Sequence, residues 1–170
     1  MVYQTFFLIF LNCFITTVPS TASDSPDKTV PELEVLSLYA GTWEVEIDSE
    51  QTSVKREVTS EWVLNGRFLQ RYGVIGDIAP FFKQTELMTF DVKVKSYRMW
   101  SFDSRGTVVE STGKWDAEKK TFTWLSSNEG YTKTTTANFS EDGISNWTIV
   151  STNPKGEVTA KVDGVSKRHK

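Results

Sequence analysis

The chain has 170 residues, 38% of them hydrophobic and 24% charged, with 22 acidic and 19 basic side chains and a formal net charge of −3. That length suits one domain with an ordinary core. The slightly acidic balance excludes a basic surface of the kind that neutralises nucleic-acid phosphates, and a single cysteine, Cys13, excludes a disulfide framework.

Met1–Ala22 contains no Asp, Glu, Lys or Arg, and Tyr3–Val18 is almost unbroken apolar or small sequence. Its hydrophobic centre is short for a membrane span, which needs about 20 residues. Ser20-Thr21-Ala22 supplies small residues for signal peptidase, so the segment reads as a signal peptide cut near Ala22, and the protein as secreted or periplasmic. Because the leading residues lack Lys and Arg, a retained anchor is the alternative. Cys13 lies inside this segment, and Asn12 stands where a bacterial lipoprotein signal wants Gly, Ala or Ser, so the mature chain is expected to carry no thiol.

Residues 23–30, rich in Ser, Asp and Pro, are predicted to be a disordered leader. Pro31–Tyr39 is the one predicted helix: Thr29 can cap it, Pro31 is tolerated in a first turn, and Glu32 and Glu34 suit the positive end of the dipole. Gly41 ends it. Leu33 and Leu36, with Val35 as a further candidate, form an inward plug.

After Gly41 the hydrophobic period changes from helical to two, with turn signals recurring roughly every 8 to 12 residues. Strands are predicted near Thr42–Ser49, Ser53–Leu64, Arg67–Ile75, Lys83–Asp91, Ser96–Asp103, Thr107–Trp115, Thr121–Ser126, Tyr131–Phe139, Ile144–Ser151 and Glu157–Val165. Asn65-Gly66 is a two-residue hairpin signal, and Gly106, Gly143 and Gly156 end further turns. Successive hairpins make a meander, and closing it removes the two exposed edges. The fold class is therefore all-β, an antiparallel up-and-down closed barrel of about ten strands over residues 31–166, with a basic tail at 167–170.

Alternation assigns faces. Trp43, Val45 and Ile47 oppose Glu44, Glu46 and Asp48; Val54, Val58, Trp62 and Leu64 oppose Lys55, Glu57 and Glu61. The 6 tryptophans fall on six different predicted strands, as core or as cavity lining. Parity makes Arg56, Gln70, Tyr72 and Glu110 the candidate interior polar groups, beside Trp43 and Trp62 as aromatic lining, with a bulge able to flip any of them. A buried carboxylate with a tyrosine or arginine could move a proton. A serine triad lacks its base, and zinc lacks its usual ligands. Asp103-Ser104-Arg105 and Glu141-Asp142 read as solvated hairpin tips, so no metal is expected. Gly76–Phe82 is the longest apolar connection, a lid or portal through Ile78, Phe81 and Phe82, or merely an end cap. Asn138-Phe139-Ser140 and Asn146-Trp147-Thr148 match the N-glycosylation pattern.

Gly41-Thr42-Trp43, entered from a short helix, is similar to the Gly-x-Trp opening of lipocalins and other calycins. Leu38–Trp43, Leu64–Leu69, Met88–Asp91, Tyr97–Asp103 with Gly106, and Gly113–Asp116 together resemble the bacterial lipocalin-like family of unknown function catalogued as DUF 1579. The resemblance covers roughly residues 31–124 and implies a calycin-type barrel, often exported, without an established activity. Haem-binding calycins of the nitrobindin type also begin with Gly-Thr-Trp but ligate iron through histidine; the sole histidine here is His169, near the end of the chain, which leaves Tyr72 or Tyr97 as the only tyrosine ligands considered.

Three readings follow. The first is an exported binding module that holds a small apolar or amphipathic ligand and needs no cofactor. The second is a cofactor-independent isomerase or cyclase using Glu110, Tyr72 or an arginine. The third is a filled barrel serving as an interaction module. The sequence leaves the ligand and the oligomeric state open.

Overall fold

The computed structural model describes residues 24–49, 52–75 and 82–169. A short helix, α1 (Leu33–Leu36), runs into a 3-10 turn at Ser37–Tyr39 and then ten strands: β1 (Gly41–Ser49), β2 (Thr52–Val63), β3 (Phe68–Ile75), β4 (Phe82–Asp91), β5 (Ser96–Asp103), β6 (Val108–Asp116), β7 (Thr121–Asn128), β8 (Tyr131–Glu141), β9 (Ile144–Thr152) and β10 (Val158–Arg168). Each strand pairs with the next, and β1 pairs antiparallel with β10, so the sheet closes into a barrel with no free edge. The closing register sets Trp43 opposite Arg168 and Val45 opposite Ser166.

The β2–β3 turn decides what faces inward on the third strand. Asn65 and Gly66 take φ of 58° and 73°, and the Arg67 N–H donates to the Leu64 carbonyl at 3.3 Å, the left-handed pair that matches the twist of a hairpin. Trp62 therefore lies opposite Leu69, and Ser60 opposite Arg71. Leu64, expected to face inward, sits in this turn and is exposed.

The helix plugs one end of the barrel. Leu33 and Leu36 are fully buried, in one core cluster with Val45, Leu69, Met88 and Phe122. Aromatic rings fill the layer above them: Phe122 stacks on Trp124 with centroids 5.0 Å apart, and Tyr39 meets Phe139 edge-on at 4.8 Å. Their polar atoms are answered, as burial requires. Trp43 Nε1 donates to the Tyr39 carbonyl at 2.9 Å, Trp124 Nε1 to the Tyr39 hydroxyl at 3.1 Å, and the Tyr97 hydroxyl to the Glu32 carbonyl at 3.0 Å.

The helix is shorter than its predicted Pro31–Tyr39 span. Thr29 does not cap it, because its N–H and hydroxyl both donate to Asp27 Oδ1, at 2.9 and 2.7 Å. The predicted disorder of the leader also gives way over 24–30. Asp24 N–H donates to the Trp62 carbonyl, Asp27 N–H to the Gly66 carbonyl, and Arg67 reaches Asp27 at 3.0 Å. A Cβ at Gly66 would strike the Ser25 carbonyl, so glycine there lets the leader lie flat on the hairpin. Residues 167 and 168, expected in a tail, belong to β10: Arg168 lies 4.7 Å over the Trp43 ring and donates to the Leu38 carbonyl at 2.8 Å. Five tryptophans face inward by register, but Trp100 does not; it shares the outer face with Arg98, whose guanidinium lies 5.5 Å over the indole.

Candidate functional site

Among the described residues, the barrel is hollow toward the end opposite α1. A cavity of about 440 Å³ extends from the aromatic layer to the exposed β5–β6 turn, where Asp103, Arg105 and Thr107 border it. That size falls within the range of small-molecule pockets, roughly 300 to 1,000 Å³. Trp43, Val45, Met88, Trp124 and Phe139 form the floor.

The walls differ in chemistry. Over the arc from β2 to β5 the inward positions carry Arg56, Arg71, Gln84, Glu86, Ser101 and Asp103, while over β9, β10 and β1 they carry Trp147, Ile149, Val162 and Ile47. Period-two alternation together with the register places each of them, since residues opposite one another across neighbouring strands share a face. Gly164, opposite Trp147, and Gly113, opposite Trp124, make room for these indoles; a Cβ at Gly113 would lie 2.6 Å from Trp124 Cζ3.

On the polar wall, Glu86 is the hub. Its carboxylate accepts from Arg71 Nη1 at 3.4 Å, Gln84 Nε2 at 2.8 Å and the Ser101 hydroxyl at 3.3 Å. Nearer the mouth, Arg105 Nη2 pairs with Asp103 Oδ2 at 2.6 Å. Arg56 stands apart: it forms no ion pair among the described residues, and its buried Nε has no hydrogen-bond partner. Burial first, and the Arg71 charge second, push its pKa below the ordinary arginine value, with Glu86 opposing.

Of the candidates, Trp43 and Arg56 line the cavity. Trp62 is buried inside the barrel at the plugged end, clear of the cavity. Gln70, Tyr72 and Glu110 are on the outer face. Leu69 and Arg71 take the inward positions of β3, leaving Tyr72 exposed, and Ser111 and Gly113 take those of β6, leaving Glu110 to pair with Arg98 outside. The interior acid–base roles considered for Tyr72 and Glu110 go with them. Ile78, Phe81 and the Phe82 side chain lie outside the described residues. Sequence reasoning missed Arg71, Gln84 and Glu86, although the Asn65-Gly66 turn carried the signal: a two-residue loop pairs Trp62 with Leu69 and so turns Arg71 inward.

His169 lies outside the cavity, its Nδ1 3.7 Å from a Glu57 oxygen and its N–H on the Thr42 carbonyl. Among the described residues no cluster of acidic, histidine or cysteine side chains could hold a metal ion, and no helix is long and apolar enough to cross a membrane. No family model matches the chain, and no curated protein matches it. The fold and site define a closed ten-stranded antiparallel barrel with an amphipathic interior cavity.

Proposed function

We propose that the protein is an exported, lipocalin-like binding protein, of the kind catalogued as DUF 1579, that holds a small, partly apolar ligand inside its barrel without a cofactor. The observation that carries this reading is the cavity of about 440 Å³, walled by apolar side chains on one arc and hydrogen-bonding groups on the other. Pockets of that make-up orient a ligand through a few polar contacts while apolar burial supplies the driving force. The apolar, charge-free Met1–Ala22 segment supports export, and Gly41-Thr42-Trp43 at the barrel entry supports the calycin relationship.

Thermal unfolding in the presence of a panel of lipids, terpenoids and aromatic metabolites tests it. A ligand that binds only the folded chain adds about 2.7 kcal/mol at a hundredfold excess over Kd, so a true ligand raises Tm by several degrees. A panel spanning neutral and charged amphiphiles that leaves Tm unmoved would overturn the reading.

A further inference from the structure

Among the described residues, the charges lining the cavity do not balance. Arg56, Arg71, Arg105 and Lys133 face it against two carboxylates, Glu86 and Asp103. Arg71 is taken by Glu86 and Arg105 by Asp103. Lys133 is exposed, so its ammonium is open to solvent. Arg56 remains, half-buried between Val58 and the mouth, with a buried N–H that nothing among the described residues accepts. An unmet donor on a buried charged group is destabilising, and folded proteins retain few of them. The planar guanidinium presents its donors as a fork that matches an oxyanion. Arg56 also sits across the β1–β2 pairing from Val45, at the seam between the polar wall and the apolar arc that begins with Ile47.

We propose, building on the binding reading above, that the ligand is an amphipathic monocarboxylate whose carboxylate docks on Arg56 while its apolar body lies along Ile47, Trp147, Ile149 and Val162. The seam position lets one molecule satisfy both walls at once. Glu86 and Asp103 on the same polar wall select against a doubly charged head, because a second negative charge would meet carboxylates already holding their own cations. A single carboxylate is therefore favoured over a phosphate monoester.

Titrations of the intact protein, followed by the fluorescence of the cavity tryptophans, test this with decanoate, decanol and decyl phosphate. The expected result is decanoate binding about tenfold or more tightly than decanol, the scale of a charge-assisted hydrogen bond. In Arg56→Gln that preference should fall to within about threefold, by loss of the same contact, while decanol affinity is unchanged. Retained decanol binding also reports a folded barrel. Should Arg56→Gln fail to fold, Arg56→Met carries the same comparison. Equal affinity for decanoate and decanol in the unaltered protein overturns the carboxylate head and leaves the binding reading standing. Tighter binding of decyl phosphate than of decanoate overturns the choice of a single charge. A decanoate preference that survives both Arg56 variants overturns the role of Arg56. If all three compounds fail to bind while some other panel compound raises Tm, the inference falls alone; if none does, both fall.

Discussion

The two ends of the barrel are built from the same ten strands, yet one is packed and the other hollow, and the difference lies in what the inward positions carry. At the helix end those positions hold Trp43, Trp62, Leu69, Met88, Phe122 and Phe139, closed from below by Leu33 and Leu36. Toward the mouth they hold Ser101, Ser126 and Thr135 among longer polar chains that hydrogen-bond along the wall, and the volume left over is the cavity. Strand pairing runs through both halves, with register shifts at Asn138/Glu141 and Val158/Ala160, so the sheet itself does not set the interior volume. Side-chain size does, one alternate residue at a time. The packed half can therefore supply stability while the hollow half keeps unfilled space and an unanswered arginine donor, both of which weigh against stability.

The division breaks most visibly at Leu36. Leu36→Ala removes a fully buried side chain from the plug, where neighbours on several strands cannot collapse together, and should cost about 2–5 kcal/mol in urea unfolding. A loss below about 1 kcal/mol would mean that the helix only rests on the barrel and the two halves are energetically alike.

A matched pair of glycines sharpens the contrast. Gly113 faces Trp124 and Gly164 faces Trp147; both indoles border the cavity, but Trp124 is also stacked on Phe122 and hydrogen-bonded to Tyr39. An alanine Cβ runs into the indole in both places. Trp124 can give way only by losing its stack on Phe122 and its bond to Tyr39, so Gly113→Ala should cost about 2–3 kcal/mol, as overpacking does. Trp147 can swing into empty space at the loss of its bond to Ser166, so Gly164→Ala should cost about 1 kcal/mol. An equal or larger loss at Gly164 in the same denaturation experiment would show that the hollow half is as tightly held as the packed one.

The packed half was also the more legible in sequence. Trp43, Val45, Val58 and Trp62 announce their face through unbroken alternation with charged neighbours, and Leu33 and Leu36 through helical spacing. Where the inward face is itself polar, hydrophobic alternation carries no information. On β3 the outward Phe68 and Tyr72 are more aromatic than the inward Arg71 and Gly73, and on β6 the inward Ser111 and Gly113 look like surface residues. Parity read from apolarity thus chose the wrong face for Gln70, Tyr72 and Glu110. Register propagated from the Asn65-Gly66 turn chooses the right one for β3, because turn chemistry is independent of which face is wet. The leader illustrates a different blind spot: Asp24 and Asp27 look like solvated acids until the β2–β3 hairpin supplies distant N–H and guanidinium donors.

Two aspartates give the finest comparison of the ends, since Asp27 near the plug and Asp103 at the mouth both titrate at about 2 instead of 3.8. At Asp27 the first cause is the Thr29 hydroxyl bond, followed by the Thr29 N–H and Arg67; at Asp103 it is Arg105, with the Thr107 and Arg105 N–H groups after it. A carboxyl depressed on folding is protonated first in the unfolded chain, so its contribution is complete above about pH 4, shrinks below that, and is gone once the folded group is protonated too, below about 2. The span of the contacts separates the two. Beside its local bonds to Thr29, Asp27 has a donor 40 residues away in Arg67, and that bond exists only in the folded barrel, whereas the donors to Asp103 lie within four residues and can form in the turn by itself. Asp27→Asn should lower Tm at neutral pH by a deficit that closes as pH falls from 4 toward 2, and Asp103→Asn should lower it less at every pH. Scanning calorimetry across that range checks both, and a deficit for Asp27→Asn that persists unchanged at pH 2 would remove the leader's charge contacts from the account of the packed end.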